Sequence, residues 1–208
     1  MRRPEFIARQ SGCPTGFLGS LIARIMAKET AAANEQLLSL AELQPTDHVL
    51  EIGFGHGLTM ERAAAAVPQG FVAGVDLSDD MVRMASRRLR GVIQAGRAEV
   101  QRADSARLPY EHGHFDKAYT LHTLYFWKDP VQHLREVCRV LKSGGRFVLG
   151  FTPGDDPQAR ANFPASVYQF YESDQVCGFL EDAGFAAPTM LRRDISSHPI
   201  VFAVAHAR

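Results

Sequence analysis

The chain has 208 residues, of which 46% are hydrophobic and 22% are charged, and its 23 basic and 23 acidic side chains give a formal net charge of zero. This length suits one globular domain, or one domain with a small appendage. The balanced charge argues against nucleic acid as the main partner, because phosphate-binding surfaces are usually basic. No run of about 18 apolar residues is present, so no transmembrane helix is predicted.

The three cysteines, Cys13, Cys138 and Cys177, are widely spaced and form neither a CxxC pair nor a metal-ligand cluster. We therefore expect no metal site, and a reducing cytoplasm is the simplest setting for the protein. The basic start of the chain is not followed by a sustained apolar core, so no signal peptide is predicted.

The beginning of the chain is predicted to form an arm and a helical cap. Residues 1–16 are punctuated by proline and glycine, which favours an arm. Apolar residues at helical spacing predict two helices between residues 17 and 43, and Pro45 ends the second. We expect residues 1–44 to form this arm and cap, and residues 45–208 to form the main domain.

A predicted strand, a glycine-rich turn and a predicted helix follow one another from His48. Three glycines, Gly53, Gly55 and Gly57, come at alternate positions after the apolar strand. Such a turn lets a ligand approach the backbone near the N-terminus of a helix. The spacing departs from the dinucleotide fingerprint G-x-G-x-x-G, in which the third glycine comes three residues after the second. Glu51, ahead of the first glycine, would repel a pyrophosphate and favour a cationic ligand.

Two further acids stand where predicted strands end. Asp76 ends the second strand and lies 19 residues after Gly57, close to the separation expected of an acid that binds a ribose. Asp104 follows a short third strand. Ligands of open α/β sheets bind outside the carboxyl ends of the strands, so Glu51, Asp76 and Asp104 are expected to face one site. The alternative is local structure, a helix cap or a turn, although Ser78 can cap the next helix without Asp76.

The pattern Glu51-x-Gly53-x-Gly55-x-Gly57 resembles the first motif of class I S-adenosylmethionine (SAM) methyltransferases. The sequence ADSARLPY around Asp104 and the later sequence LREVCRVLKSGGR are similar to the same family. The resemblance implies SAM as the cofactor, whose sulfonium and ammonium cations suit an acid beside the glycine turn. It implies cofactor binding by the following residues: Glu51, Gly53, Gly55, Gly57, Asp76, Leu77, Met81, Asp104, Ser105 and His122.

The segment from His122 to Trp127 follows the fourth predicted strand, Phe115–Leu121, at the ligand end of the sheet. His122 is the candidate catalytic residue, as a general base that is needed only if the acceptor must lose a proton. Tyr125 and Trp127 are predicted to line an apolar substrate pocket, although buried aromatic side chains often belong to the core.

The last quarter of the chain reads as a loop, a helix and a closing hairpin. Residues 152–165 form a polar, proline-rich loop that is predicted to act as a lid or substrate loop. Ser173 is predicted to cap a helix that runs to Asp182. Two strands, Thr189–Ile195 and Ile200–His206, are predicted to pair, and the resemblance implies that the last strand lies antiparallel beside the fifth.

The predicted fold is α/β: a Rossmann-like three-layer sandwich around a seven-stranded, mostly parallel sheet with the last strand antiparallel. The resemblance implies a SAM-dependent methyltransferase. The sequence lacks an Asn/Asp-Pro-Pro-Tyr run and a Pro-Cys pair, which argues against adenine, glutamine or cytosine as acceptors. Zero net charge and the aromatic candidates favour a small organic acceptor. An NAD(P)-dependent oxidoreductase and a non-catalytic SAM-binding protein remain as alternatives, and the sequence predicts no oligomeric state.

Overall fold

The computed structural model of the protein describes residues 4–16, 30–195 and 198–208. The first of the two helices predicted between residues 17 and 43 falls largely on residues 17–29, which lie outside the described residues. The strands of the described residues are β1 His48–Ile52, β2 Phe71–Asp76, β3 Ala98–Arg102, β4 Phe115–Leu121, β5 Leu141–Phe151, β6 Phe185–Arg193 and β7 Ile200–Ala207.

These strands form one sheet in the order β3-β2-β1-β4-β5-β7-β6. The first five strands run parallel to one another, while β7 lies antiparallel between β5 and β6. The predicted fold class is confirmed, including the antiparallel last strand beside the fifth. The order reverses between β1 and β4, and an open sheet binds ligands at such a switch point.

Helices cover both faces of the sheet. Those of the described residues are α1 Glu5–Gly12, α2 Ala31–Ala41, α3 Leu58–Ala66, α4 Asp79–Arg88, α5 Arg90–Gln94, α6 Pro130–Val140, α7 Pro157–Asn162 and α8 Ser173–Asp182, with a 3₁₀ turn at Leu124–Phe126. Buried side chains of α2, α3 and α4 pack on one face. Those of α6 and α8 pack on the other, so the sheet has an apolar core on each side. None of the described helices has the length and apolar character needed to cross a membrane.

Two boundaries near the end of the chain differ from the sequence-based expectation. The helix α8 is capped by Glu172, not by Ser173, because the backbone N–H of Glu172 donates to Oε1 of Gln175 at 3.0 Å. A cap at Ser173 would place an apolar residue three positions later, where no such reciprocal bond forms. The strand β6 begins at Phe185, ahead of the expected Thr189, because Phe185 and Ala186 already pair with β7 before a register shift that precedes the threonine.

Candidate functional site

A cavity of about 580 Å³ lies at the carboxyl ends of the central strands. The side chains or backbone of most residues predicted from the sequence line it: Glu51, Gly53, Gly55, Asp76, Leu77, Met81, Asp104, Ser105, His122 and Trp127. Gly57 and Tyr125 are not among the lining residues. The three acids at successive strand ends therefore do face one space, as their positions in the sequence predict.

Asp76 joins two neighbouring parts of the cavity wall. Its Oδ2 accepts a hydrogen bond from the backbone N–H of Gly55 at 2.9 Å, and its Oδ1 accepts one from the N–H of Ser78 at 2.9 Å. Burial raises the pKa of this carboxyl, although the backbone N–H groups around it act in the opposite direction. Each carboxylate oxygen can accept a further bond, so Asp76 offers two acceptors to a ligand diol.

Ser78 makes the cap of α4, which leaves Asp76 for another role. The Oγ of Ser78 accepts a hydrogen bond from the backbone N–H of Met81 at 3.3 Å. Met81 is fully buried and lines the cavity, while Leu77 lines it with a half-exposed side chain. The apolar side chains of Leu77 and Met81 therefore lie in the same wall as the Asp76 carboxylate.

The three glycines of the turn have different reasons to be glycine. A Cβ at Gly53 would collide with Cγ2 of Thr123, and a Cβ at Gly57 would lie 2.8 Å from Cβ of Ala85 in α4. At Gly55, where φ is +55°, a Cβ would meet no atom within 4 Å and would instead occupy the cavity. Gly53 and Gly57 are thus required by packing, whereas Gly55 opens space for a ligand close to the backbone.

Glu51 is a buried acid in the wall of the cavity. The hydroxyl of Tyr119 donates a hydrogen bond to its Oε2 at 3.0 Å. Burial raises the pKa of Glu51 to about 8, the hydrogen bond from Tyr119 opposes the rise, and the nearby charge of Asp76 adds to it. A buried carboxyl of this kind binds a cation more readily than an anion.

The third acid, Asp104, lies in a more open part of the cavity. Its Oδ1 accepts a hydrogen bond from the backbone N–H of Ala106 at 2.9 Å, which closes a tight turn, and 58% of its side chain remains exposed. Ser105 is buried, and its hydroxyl lies 2.8 Å from Nδ1 of His133. The sequence predicted Asp104 and Ser105 for this wall but not His133.

His133 belongs to the first turn of α6 and holds the position of Trp127. The two rings stack with centroids 4.8 Å apart and planes 3° apart. Burial lowers the pKa of His133, which favours the neutral imidazole. The sequence analysis assigns no functional side chain to this helix. A polar first turn directed toward the ligand end of the sheet is the signal that could have identified His133.

His122 and Tyr125 occupy different layers of the wall. His122 lines the cavity with φ +60°, and its Nδ1 lies 2.9 Å from the hydroxyl of Tyr125. That hydroxyl also accepts a hydrogen bond from the backbone N–H of Thr152. Tyr125 is buried behind the cavity, where its ring packs against Phe170 with centroids 5.1 Å apart.

The prediction that Tyr125 lines the pocket therefore differs from the observed position. Consecutive side chains of the 3₁₀ turn point about 120° apart, so only some of them can face the cavity. Tyr125 faces the core, and its neighbours Phe126 and Trp127 line the cavity.

The N-terminal arm closes the cavity on a further side. Ser11, Gly12 and Pro14 line it, and the hydroxyl of Ser78 donates a hydrogen bond to the carbonyl of Pro14. The backbone N–H of Gly16 donates to Oδ2 of Asp80 at 2.7 Å. Two hydrogen bonds therefore fasten the arm to the beginning of α4. Two further residues of the cap, Thr30 and Asn34, also line the cavity.

The donor and acceptor groups of this cavity fit SAM. Acceptor oxygens suit hydroxyls and cations, the open backbone at Gly55 admits a close ligand, and Leu77 and Met81 supply apolar surface. Among the described residues, the lining contains four acids and one lysine, Lys128, but no arginine. Within residues 4–16, 30–195 and 198–208, no group of three or more His, Cys, Asp or Glu side chains could hold a metal ion. With four acids and one lysine in its described lining, the site is poorly suited to a pyrophosphate.

Comparison with known proteins relates the chain to methyltransferases. Residues 50–149 match a family model described as a methyltransferase domain. The chain is 30% identical over 122 residues to "Putative methyltransferase YrhH" of Bacillus subtilis (strain 168), which covers 59% of this chain and 67% of that protein. It is 34% identical over 140 residues to the ubiquinone/menaquinone biosynthesis C-methyltransferase UbiE of Ectopseudomonas mendocina (strain ymp), covering 64% and 51%. The chain spans about half the length of most curated relatives that it matches.

Solved structures share the fold. A SAM-dependent methyltransferase from Aquifex aeolicus matches with a TM-score of 0.74 and 18% identity, over 91% of this chain and 98% of that one. Geranyl diphosphate C-methyltransferase from Streptomyces coelicolor A3(2), in complex with Mg²⁺, geranyl diphosphate and S-adenosyl-L-homocysteine, matches with a TM-score of 0.69 and 16% identity, over 95% and 86%. As the glycine turn and its acids predict, the chain belongs to the family of class I SAM-dependent methyltransferases.

Proposed function

We propose that this protein transfers the methyl group of SAM to a neutral, small organic acceptor. One observation carries the proposal: Glu51 and Gly55 at the end of β1, Asp76 at the end of β2 and Asp104 after β3 converge on one cavity that fits SAM. The family match supports SAM over a dinucleotide, because the glycine spacing and Glu51 already disfavour a pyrophosphate.

We assign the sequence-predicted residues to the cofactor as follows. Asp76 accepts hydrogen bonds from the ribose hydroxyls, Asp104 and Ser105 contact the adenine, and Glu51 supplies the negative charge for a cation. When bound, SAM supplies an activated methyl group, so the protein mainly has to position the reactants and exclude water. The turn and the walls complete the proposed cofactor site through Gly53, Gly55, Leu77, Met81 and His122, while Gly57 supports the turn from behind the lining by its packing against α4.

The remaining wall supports a neutral acceptor. It includes hydroxyl, amide and aromatic groups from Ser11, Asn34, Phe126 and Trp127, and the opposite charges of its neighbours Lys128 and Asp129 balance each other. No arginine is found among the described residues of the lining, which disfavours phosphorylated acceptors, since planar guanidinium groups are the usual partners of phosphate. In this proposal, residues 1–44 act as a cap over the methyltransferase domain of residues 45–208.

His122 is proposed as the catalytic group where the acceptor must lose a proton. It lines the cavity, and its ring is held through the hydroxyl of Tyr125. Relatives include a protein named O-methyltransferase and a C-methyltransferase, so the relatives alone do not indicate which atom accepts the methyl group.

The proposed setting is the cytoplasm, with a small molecule and not nucleic acid as the partner. All three cysteines are free in the structure, which is consistent with a reducing compartment. The zero net charge supports the choice of partner.

Calorimetric titration with SAM and S-adenosylhomocysteine, with NADH as the control ligand, tests the cofactor. A mass-spectrometric screen of neutral phenols, enols and amines then tests transfer. Binding of the adenosyl ligands with methylated product supports the proposal. Binding of SAM without transfer to any member of the screen would favour the non-catalytic alternative, and binding of NADH alone would contradict both.

A further inference from the structure

Glu51 and Tyr119 form a buried pair across two strands. They lie opposite each other in the parallel pairing of β1 with β4, and the Tyr119 hydroxyl donates to Oε2 of Glu51 at 3.0 Å. Tyr119 is completely buried and does not line the cavity, whereas Glu51 does. The next residue, Thr120, donates from Oγ1 to the carbonyl of Ile52 at 2.8 Å. Strand β4 therefore fixes both the Glu51 carboxyl and the start of the glycine turn.

Glu51 has no cationic partner among the described residues. None of the ion pairs within the described ranges includes Glu51 or Asp76. The hydrogen bond from Tyr119 in β4 favours the ionised form of Glu51, and the charge of Asp76 at the end of β2 disfavours it. His56 and His122 line the same cavity. A buried carboxyl without a cation favours its neutral, protonated form.

The Tyr119 hydroxyl can donate a hydrogen bond to both the protonated and the ionised form of Glu51. It donates to an oxygen that accepts a hydrogen bond whether the carboxyl is protonated or ionised. A hydrogen bond to the ionised form is the stronger of the two, so Tyr119 assists ionisation. The remaining oxygen, Oε1, is then the atom that carries the proton or meets a cation.

We propose that Tyr119 is a positioning residue that holds Glu51 as a proton-exchanging counter-charge, releasing its proton to solvent when a cationic ligand enters the cavity and recovering it when the cavity empties. In this exchange the O–H bond of Glu51 breaks, the proton passes to water, and the carboxylate remains opposite the cation. The inference rests on the proposed function, because SAM is the ligand that brings the cations.

Calorimetric titration of the whole protein in buffers of different ionisation enthalpy measures the protons released on binding. When SAM binds near neutral pH, we expect about one proton to be released. While Glu51 of the ligand-free protein is still protonated, the affinity for SAM should rise with pH by up to about tenfold per pH unit. Three ligands identify the cation: SAM carries sulfonium and ammonium, S-adenosylhomocysteine carries ammonium only, and methylthioadenosine carries neither.

Two variants separate positioning from simple packing. Glu51→Gln should abolish proton release and flatten the dependence of affinity on pH. Tyr119→Phe should weaken SAM binding about three- to tenfold near neutral pH, which is the loss of one hydrogen bond to a charged group, and should leave it nearly unchanged at about pH 9. Tyr110→Phe is the matched control, because it removes the hydroxyl of a partly buried tyrosine that accepts a hydrogen bond from Gln101 at 3.1 Å and lies outside the cavity lining.

Two results together support the inference. SAM binding releases a proton in the wild type but not in Glu51→Gln, and Tyr119→Phe moves the curve of SAM affinity against pH to higher pH. If Tyr119→Phe weakens SAM binding equally at every pH, Tyr119 contributes only packing and its proposed role is overturned. Release with methylthioadenosine, or release that persists in Glu51→Gln, overturns the exchange itself. If the Tyr119 variant does not fold, Glu51→Gln decides alone. Absence of SAM binding by the wild type at every pH would overturn the proposed function as well, whereas binding without proton release overturns only this inference.

Discussion

The carboxylate of Asp76 accepts a hydrogen bond from the backbone N–H of Gly55, with 2.9 Å between Oδ2 and N. This bond joins the end of β2 to the turn that follows β1, its neighbour in the sheet. Asp76 therefore shapes the turn that opens the cavity and also offers acceptor oxygens to the ribose proposed to bind there. Shaping the turn and binding the ribose both depend on the two carboxylate oxygens of Asp76.

Asp76→Asn should weaken SAM binding about 10- to 100-fold, because the amide keeps one acceptor oxygen but loses the charge and turns an N–H group toward a backbone donor. Calorimetry at fixed pH measures the change. Asp79→Asn is the control, since the exposed Asp79 carboxylate lies 3.4 Å from Arg102 and does not line the cavity. We expect that control to change affinity by less than about twofold. Equal losses in the two variants would contradict the role of Asp76.

Gly55→Ala should separate the backbone role of the turn from its role in binding. Gly55 and Gly96 both have positive φ, and a Cβ at either would meet no atom within 4 Å, but only Gly55 lines the cavity. Each alanine substitution should lower the free energy of unfolding by about 1–2 kcal/mol, because alanine disfavours left-handed backbone. Only Gly55→Ala should also weaken SAM binding. Unchanged affinity in Gly55→Ala would mean that the ligand does not approach this glycine.

The parts of the site that could be predicted from the sequence are those set by local pattern. An apolar strand followed by Glu51 and alternating glycines fixes a strand, a turn and a helix within one short stretch. Asp76 and Asp104 could be placed because both follow strands, and parallel strands end on one edge of a sheet. The structure brings all three acids to one cavity.

The remaining parts of the site depend on contacts between distant residues. His133 lies 28 residues after Ser105, and only the docking of α6 brings their side chains within 2.8 Å. The direction of Tyr125 follows from the 3₁₀ turn, which apolar patterning does not reveal. Likewise, Gly57 resembles a ligand contact in the motif, but packing against Ala85 in α4 is what requires a glycine there.

The free energy of unfolding should depend on pH through Glu51. The folded-state pKa is about 8, and the unfolded carboxyl titrates near pH 4.3. Between these values the folded protein keeps a proton that the unfolded chain has lost, so stability falls as pH rises, by up to about 1.4 kcal/mol per pH unit. Below the unfolded value, and above about pH 8, Glu51 contributes no slope.

Urea unfolding of the wild type and of Glu51→Gln, at several pH values between about 5 and 9, measures this dependence. The difference between the two proteins isolates Glu51 from the other titrating groups. We expect the wild type to lose stability relative to the variant as pH rises toward 8. A difference that stays constant with pH would show that Glu51 is ionised in the folded protein throughout the range.

Trp127 should report on the cavity by fluorescence, because it is the single tryptophan of the chain and lines that cavity. An imidazolium ring quenches a stacked indole more than a neutral imidazole does, so acidification should quench Trp127 through His133. Since burial lowers the pKa of His133, the midpoint should lie below the ordinary histidine value of about 6.5. His133→Gln should remove the transition, whereas His114→Gln, outside the cavity lining, should preserve it. Persistence of the transition in His133→Gln would assign the quenching to another group.

Tyr125→Phe should impair the wall of the acceptor site without changing cofactor affinity. The substitution leaves the buried N–H of Thr152 without the hydroxyl that accepts its hydrogen bond and removes the hydroxyl that lies 2.9 Å from Nδ1 of His122, so the free energy of unfolding should fall by about 1–3 kcal/mol. SAM affinity should remain within about twofold of the wild type, because Tyr125 lies behind the cavity lining. If His122 acts as the general base, methyl transfer should fall more than SAM binding does, since its ring loses the hydroxyl that orients it.

Urea unfolding, calorimetry and a transfer assay on one acceptor distinguish these effects of Tyr125→Phe. Tyr110→Phe is again the matched control, because its hydroxyl bonds to Gln101 away from the cavity. A stability loss in Tyr125→Phe with normal transfer would confine Tyr125 to a structural role and remove the support for His122 as a base. A loss of SAM affinity equal to the loss of transfer would instead assign His122 to cofactor binding alone and contradict its proposed role as the general base.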